Sequence, residues 1–293
     1  MTTLSAPAPT SWTFRLRRAL LWLNYLPIFN TEKWPGHEWG TRLIALAGAA
    51  YFLYGKAVTF PAYLKGVDRW TAGLMARGFS ETAARSVGVL SVASSVLVML
   101  VFLGYALAWA TRTRARVPAR GFMEVVFPFL VAFLPLYLTG APQTLSRRIS
   151  PESPAFMAIL LTVNALMVGG FLITFLAVLN LRSAFSIMAE ARTLIRGGFF
   201  RWMRHPIYTG NFIMLLGPLV LRFSATSALI YVALVVGHYF RARLEERKLA
   251  EAYPEYEDYR RTTGMFLPRP GRLLAALAAG RSGERPQSAG ISQ

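Results

Sequence analysis

The chain has 293 residues, 54% of them hydrophobic, with 32 Lys and Arg against 14 Asp and Glu. A soluble domain of this length is normally more polar. The excess positive charge lies in loops between apolar runs, so the positive-inside effect of a membrane protein explains it better than nucleic-acid binding. Cysteine is absent, which excludes disulfides, a thiol nucleophile and thiolate metal sites.

Taken in chain order, residues 2–10 are small, polar and Pro-rich and read as disordered. Phe14 to Phe29 mixes Arg15, Arg17 and Arg18 with Leu, Trp and Tyr, the pattern of a helix lying in the headgroup region. Four long apolar segments follow, near Leu43–Phe60, Gly88–Ala110, Phe122–Leu138 and Phe156–Leu181. Each approaches or exceeds the roughly 20 residues that cross a ~30 Å hydrocarbon core. Lys56 interrupts the first near one end, where its side chain can snorkel. Pro128 and Pro135 are expected to kink the third, which a membrane bundle tolerates.

Two shorter runs, Asn211–Leu221 and Ala225–Phe240, are separated by Arg222-Phe223-Ser224, so they form an antiparallel hairpin. The first arm, about 14 residues, is only ~21 Å long, and Gly217-Pro218 could break it further. Arg241 to Arg261 reads as a helix leaving the membrane, with Glu245, Leu249, Ala252, Tyr256 and Tyr259 on roughly one face. The tail from Gly280 onward reads as disordered.

Lys and Arg placement sets the orientation. The loop Thr111–Gly121 carries Arg112, Arg114, Arg116 and Arg120. The segment after the fourth span carries Arg182, Arg192, Arg196, Arg201 and Arg204. The loop between spans three and four has only Arg147 and Arg148. Both termini and the Arg204 region are therefore expected in the cytoplasm, with the protein multi-pass in a bacterial inner membrane. The fold class is all-α, a polytopic membrane helix bundle. The organisation is an N-terminal tail with an interfacial helix (1–41), four spans (42–181), a region with a helical hairpin and a cytoplasmic cofactor-binding site (182–268) and a tail (269–293).

Chemistry concentrates at Arg204-His205-Pro206-Ile207-Tyr208-Thr209-Gly210, at the mouth of the hairpin. Ionisable groups at the edge of a membrane segment are costly unless they bind something. Six of the fourteen acidic residues lie between Glu245 and Asp258, which is no composition effect. Arg204 and His205 can donate to a carboxylate. Glu245 or Glu246 can accept from an ammonium, and Tyr208 can lie against a cation through its ring face. S-adenosylmethionine (SAM) carries all three groups, and other zwitterions would fit as well. Each feature also has a structural reading taken alone: Arg204 as an interfacial anchor, Glu245-Glu246 as a solvated face paired with Arg241 and Arg243, His205-Pro206 as a helix start, the tyrosines as an aromatic belt. Their occurrence together and in order favours a site. His238, on an apolar face, reads as a packed core histidine. The three histidines show no metal-ligand spacing, so no metal is expected.

The runs Ser186–Arg192, Gly197–Gly210, Glu245-Glu246-Arg247-Lys248-Leu249, Tyr253-Pro254-Glu255-Tyr256 and Phe266-Leu267-Pro268 resemble the isoprenylcysteine carboxyl methyltransferase family, within a wider group that includes phospholipid methyltransferases. The resemblance covers about 181–268; before that it is only a set of spans. It implies a SAM-dependent membrane methyltransferase. His205, Pro206, Tyr208, Gly210, Glu245, Glu246, Gly198 and Phe200 would hold the cofactor. Arg204, Glu245 and Tyr208 would act at the reacting end, and Tyr256 and Tyr259 would meet a lipophilic acceptor drawn from the bilayer. One departure is that family members usually carry Gly-Pro-Tyr where this chain has Gly198-Phe199-Phe200, which keeps a stacking ring but loses a hydroxyl and a rigid proline. Two other classes compete with this reading. An NADPH-dependent membrane reductase of the sterol reductase type shares an RHP-type motif, but such enzymes carry an RDxxC-type element and this chain has no Cys. A non-catalytic membrane scaffold would keep the fold and bind no cofactor.

Overall fold

The computed structural model describes Leu26, residues 30–33 and residues 37–271. The expected disordered tails and nearly all of the expected interfacial helix at 14–29 lie outside those residues. The architecture is all-α, with eight helices among the described residues: α1 (His37–Ala76), α2 (Glu81–Thr111), α3 (Phe122–Val125), α4 (Phe127–Gly140), α5 (Pro154–Leu181), α6 (Pro206–Leu221), α7 (Ala225–Ala252) and α8 (Tyr256–Thr262). Short 3-10 turns, among them Arg182–Ala184 and Gly198–Arg201, join them. No strand occurs among the described residues, where extended pairing is limited to isolated bridges such as Val117 with Ala191 and Met203 with Gly264.

Local chemistry sets the helix starts. Ser80 caps α2 by accepting from the Ala83 N–H, and Ser153 caps α5 by accepting from the Phe156 N–H. Ser224 and Ser227 form a reciprocal capping box at the start of α7. Each satisfies first-turn donors that have no intrahelical acceptor. Pro154 and Pro206 stand in the first turn of α5 and α6, where a missing N–H costs nothing.

Helices α1, α2, α5 and α7 are long and apolar enough to cross a membrane, and α4 and α6 are shorter apolar helices. This corrects three expectations. The third span, expected over 122–138, is divided at Val126 into α3 and the 14-residue α4. Pro128 sits in the first turn of α4, so it starts that helix instead of bending a longer one. The second hairpin arm, expected to end near Phe240, continues unbroken to Ala252 and is the fourth long helix. Helix α6 passes through Pro218 to Leu221 without the expected break.

Helix α5 packs on both α2 and α6, α1 packs on α2, and α4 pairs with α7 beside α6. One core cluster joins α4, α6 and α7 through Leu138, Leu215 and Leu234. Another joins α1, α2 and α5 at the opposite end from the site through Leu74, Val87 and Phe156. That far end is closed by backbone pairing of Thr144 N–H to the Leu221 carbonyl (2.9 Å) and by Arg222 Nε donating to the Ala141 carbonyl (2.7 Å). The same alternation brings the starts of α1 and α6 and the ends of α2, α5 and α7 to one end of the bundle, where the polar residues gather.

Candidate functional site

His205 is the N-cap of α6 and Pro206 its first helical residue. The backbone there is held from outside the helix. The N–H groups of Arg204 and His205 donate to the carbonyls of Gly264 (2.9 Å) and Met265 (3.0 Å). Thr209 Oγ1 donates to the Phe266 carbonyl at 2.6 Å. The segment 264–266 after α8 therefore lies along the start of α6, and the Phe266 ring stands 5.9 Å from His205 and 5.3 Å from Phe212.

The charged groups converge on two adjacent carboxylates of α7. Arg204 Nε donates to Glu246 Oε1 at 2.7 Å, and His205 Nε2 lies 3.1 Å from the same oxygen. Arg204 Nη1 donates to the carbonyls of Arg260 (3.0 Å) and Thr263. Glu246 is only 3% exposed, and its second oxygen, Oε2, is buried with no hydrogen-bond partner. Arg243 Nη1 lies 3.9 Å from that oxygen. Tyr208 donates its hydroxyl to Glu245 Oε1 at 2.5 Å, and Arg241, one turn earlier on α7, donates Nε to the same atom at 3.1 Å. His205 Nδ1 stands 3.8 Å from Glu245 Oε2. Adjacent positions on a helix point about 100° apart, so the pair divides its work: Glu246 faces Arg204 and Glu245 faces Tyr208.

The Tyr208 ring lies parallel to His205 at 5.3 Å, meets His238 edge-on at 4.7 Å, and has Arg241 over its face at 5.2 Å. His238, 2% exposed, donates Nδ1–H to the Leu234 carbonyl at 2.9 Å and packs edge-on against Phe212, the packed core histidine the sequence suggested. Gly210 lies against α5, where a Cβ would meet the Thr174 hydroxyl and come 2.7 Å from the Gly170 carbonyl oxygen. No group of three or more potential metal ligands occurs among the described residues.

The loop leading into the site is set by an amide that sequence reading missed. Asn180, in the last turn of α5, accepts from the Phe199 N–H at 3.1 Å. Gly198 beside it has φ +57°, and a Cβ there would collide with the Asn180 amide. A polar residue near the end of an apolar span was the available signal, but only the fold shows that it faces a glycine eighteen residues later. Phe200 is buried, and its carbonyl accepts from the Tyr259 hydroxyl at 2.5 Å.

Two site expectations change. The stretch Arg241–Arg261 is not one helix: α7 ends at Ala252 and α8 starts at Tyr256, with Pro254 between them. A residue preceding proline avoids the helical region, and Tyr253 is extended at φ −140°, ψ 103°. Tyr256 and Tyr259 do not share a continuous face with Glu245 and are closed off. They are 1% and 7% exposed, packed with Tyr253, Leu194 and Leu249. Burial pushes the Tyr256 phenol well above its usual pKa. These rings form the floor beneath the Arg204 segment and offer no free face to an acceptor.

Residues 160–251 match the model of the isoprenylcysteine carboxyl methyltransferase family. Over 78 residues the chain is 36% identical to a cobalt-zinc-cadmium resistance protein of Cupriavidus metallidurans, a match covering 26% of this chain and 36% of that one. Over 83 residues it is 32% identical to protein-S-isoprenylcysteine O-methyltransferase of Mus musculus, covering 27% and 29%. It is 32% identical over 81 residues to a nickel-cobalt-cadmium resistance protein of Alcaligenes xylosoxydans xylosoxydans, covering 27% and 38%. The match thus spans about a third of the length of each relative. The stretch matched by the family model runs from α5 to the end of α7 and contains both the Arg204–Gly210 string and Glu245-Glu246. The family resemblance read from those residues is borne out, and among the described residues four helices are long and apolar enough to cross a membrane.

Proposed function

We propose that the chain is an integral membrane methyltransferase that uses SAM and modifies a lipophilic acceptor reaching the site from the bilayer. The observation that carries the reading is Glu246. Its Oε1 is shared by Arg204 and His205 while its buried Oε2 has no donor. A buried carboxylate oxygen rarely goes unpaired. The α-ammonium or a ribose hydroxyl of SAM is a donor of the right kind, so the residues present fit that cofactor. Tyr208, Pro206, Gly210, Glu245 and the loop Gly198–Phe200 complete the proposed cradle.

When bound, SAM supplies an activated methyl group on a sulfonium that is already a good leaving group. The chain's own residues then have mainly to bind and align. Arg204 fixes Glu246 and, through the Arg260 and Thr263 carbonyls, ties it to the segment after α7. The parallel rings of His205 and Tyr208 present aromatic faces on which a soft cation can rest. The Tyr208–Glu245 pair offers a proton acceptor within hydrogen-bond reach of the site. It serves where the acceptor is a thiol or amine and is idle where it is a carboxylate. Tyr259, donating to the Phe200 carbonyl, positions the loop.

Isothermal titration of SAM, and separately of NADPH, into the purified chain tests the reading. We expect micromolar SAM binding, none for NADPH, and loss of SAM binding in both His205→Ala and Glu246→Ala. Unchanged SAM affinity in both variants would sink the site, and binding of NADPH alone would overturn the class.

A further inference from the structure

A second buried charge cluster lies at the same end of the bundle, away from Glu245 and Glu246. It joins the first turns of α1 to the end of α2 and to the segment after α5. Arg112 Nη2 pairs with Glu38 Oε2 at 2.6 Å and donates to Thr41 Oγ1 at 2.5 Å. Arg192 Nη2 pairs with Glu38 Oε1 at 3.0 Å and Glu190 Oε2 at 2.8 Å. Arg42 Nη2 donates to the Arg112 carbonyl at 3.0 Å. The side chains of Arg112, Arg192 and Glu190 are 0% exposed, while Glu38, at 21%, and the half-buried Arg42 reach the surface.

Two features mark the cluster as incomplete. Its hydrogen bonding is one-sided: both buried arginines work through Nη2. The Nε and Nη1 of Arg112, the Nε and Nη1 of Arg192 and the Nε of Arg42 are buried without an acceptor. Buried donors are paired as a rule. Its charge is also unbalanced, with three guanidiniums facing two carboxylates. Water could accept the hydrogen bonds, but it brings no charge to offset the third guanidinium, the half-buried Arg42. Consistent with this, burial and then the charge of Arg192 lower the Arg112 pKa to about 10.

We propose that Arg42, Arg112 and Arg192 form a binding site for an oxyanion, a phosphate or carboxylate group with a hydroxyl or ammonium donor beside it. The oxyanion meets the orphaned guanidinium N–H groups, for which planar forks are well suited. The neighbouring donor meets Glu190 Oε1, which is also buried and unpartnered. Entry is past Glu38. The cluster adjoins the first site: Arg112 lies 4.1 Å over the Trp109 ring, and Ile207 packs against the same Trp109–Phe185 core. The ligand is either a soluble phosphate compound or an anionic lipid headgroup, which carry the same chemistry.

The test uses the full chain in nanodiscs of zwitterionic lipid, with the thermal midpoint followed by tryptophan fluorescence. In one arm glycerol 3-phosphate is titrated against sodium chloride of equal ionic strength; in the other the phosphatidylglycerol content is raised stepwise. We expect a saturable rise in midpoint in at least one arm, displaced about tenfold to higher ligand in Arg42→Gln and displaced less in Arg42→Lys. Arg42 is half-buried and absent from the first site, so its variants fold where Arg112→Gln could fail. A response to glycerol 3-phosphate alone assigns a soluble ligand, and a response to phosphatidylglycerol alone assigns a headgroup. No response beyond chloride in either arm, or an equal response in Arg42→Gln, overturns the site. SAM affinity in the same nanodiscs is a separate readout, so neither result depends on the methyltransferase reading.

Discussion

Arg204 and Glu246 form a pair in which each side chain is under a tenth exposed. A buried pair contributes little net stability over an apolar substitute, yet removing one partner leaves the other's charge uncompensated, at about 3–5 kcal/mol. Glu246→Ala is therefore expected to lose about 3 kcal/mol of stability in denaturant unfolding, besides its SAM affinity. The Arg204→Ala, Glu246→Ala double variant should lose clearly less than the sum of the singles, a coupling of about 1–3 kcal/mol. Additive losses would mean that the two do not act as a pair. Tyr208→Phe asks a narrower question. It keeps the ring against His205 and removes only the donor to Glu245. SAM affinity should fall by less than about tenfold. Turnover should fall more if the acceptor must lose a proton, and equally if it need not. These residues were legible in sequence because the first string is contiguous, and because an acidic pair stands out in a chain poor in acid. The role of Arg204 was not. Its donors were expected to face a ligand, and two of its nitrogens instead serve Glu246 and two backbone carbonyls.

Helices α5 and α6 cross where two glycines meet. A Cβ at Gly170 would lie 2.5 Å from the Met214 nitrogen and 2.6 Å from the Gly210 carbonyl oxygen. A Cβ at Gly210 would meet Thr174 and Gly170 in turn. Close backbone approach of this kind is a principal means of helix association inside a membrane. Gly210→Ala must push the helices apart against backbone that cannot yield, and we expect a loss of about 1–3 kcal/mol together with weaker SAM binding. Gly217→Ala on the same helix is the control. Its Cβ would meet Met167 Cγ at 2.7 Å and Sδ at 2.9 Å, and a flexible thioether can move aside. Its cost should be the smaller of the two in thermal unfolding, and the reverse order would refute the crossing argument. In the next layer, Gly198→Ala forces a left-handed residue and a clash with Asn180 together, so SAM affinity should fall with little loss of global stability. The sequence readily shows that α5, α6 and α7 exist, through their apolar runs and their Ser and Pro starts. It hides their ends. Charge density rises after Phe240 and suggests a membrane exit, but helix hydrogen bonding is indifferent to that boundary and continues to Ala252. Conversely, Pro254 interrupts a stretch whose apolar and aromatic spacing reads as continuous.

On the scale of the whole molecule, the alternation of helices separates two ends of different charge. The site end carries Arg112, Arg114, Arg116 and Arg120 after α2, then Arg182, Arg192, Arg196, Arg201 and Arg204 after α5. The far end carries Arg147 and Arg148 between α4 and α5 and Arg222 in the hairpin turn. The connection between the first two spans, with Lys65, Arg69, Arg77 and Arg85, is largely helix. α1 has 40 residues, about 60 Å, against a core of about 30 Å. The α1–α2 hairpin therefore extends past the apolar layer at the far end, and Lys65, Asp68, Arg69, Arg77, Glu81 and Arg85 belong to that extension. Their mixture of signs and their position outside the short loops weaken their vote on orientation. The remaining counts favour a cytoplasmic site end, where a soluble cofactor would enter. The absence of cysteine makes this directly measurable, because any single introduced thiol is the only reactive one. Ala250, at the end of α7, and Ser146, between α4 and α5, are both exposed and take part in neither charge cluster. With a membrane-impermeant maleimide, Ser146→Cys should label in intact spheroplasts, and Ala250→Cys only after permeabilisation. The opposite pattern would place the site outside the cytoplasm, where SAM is not supplied, and would take the proposed methyltransferase down with the orientation.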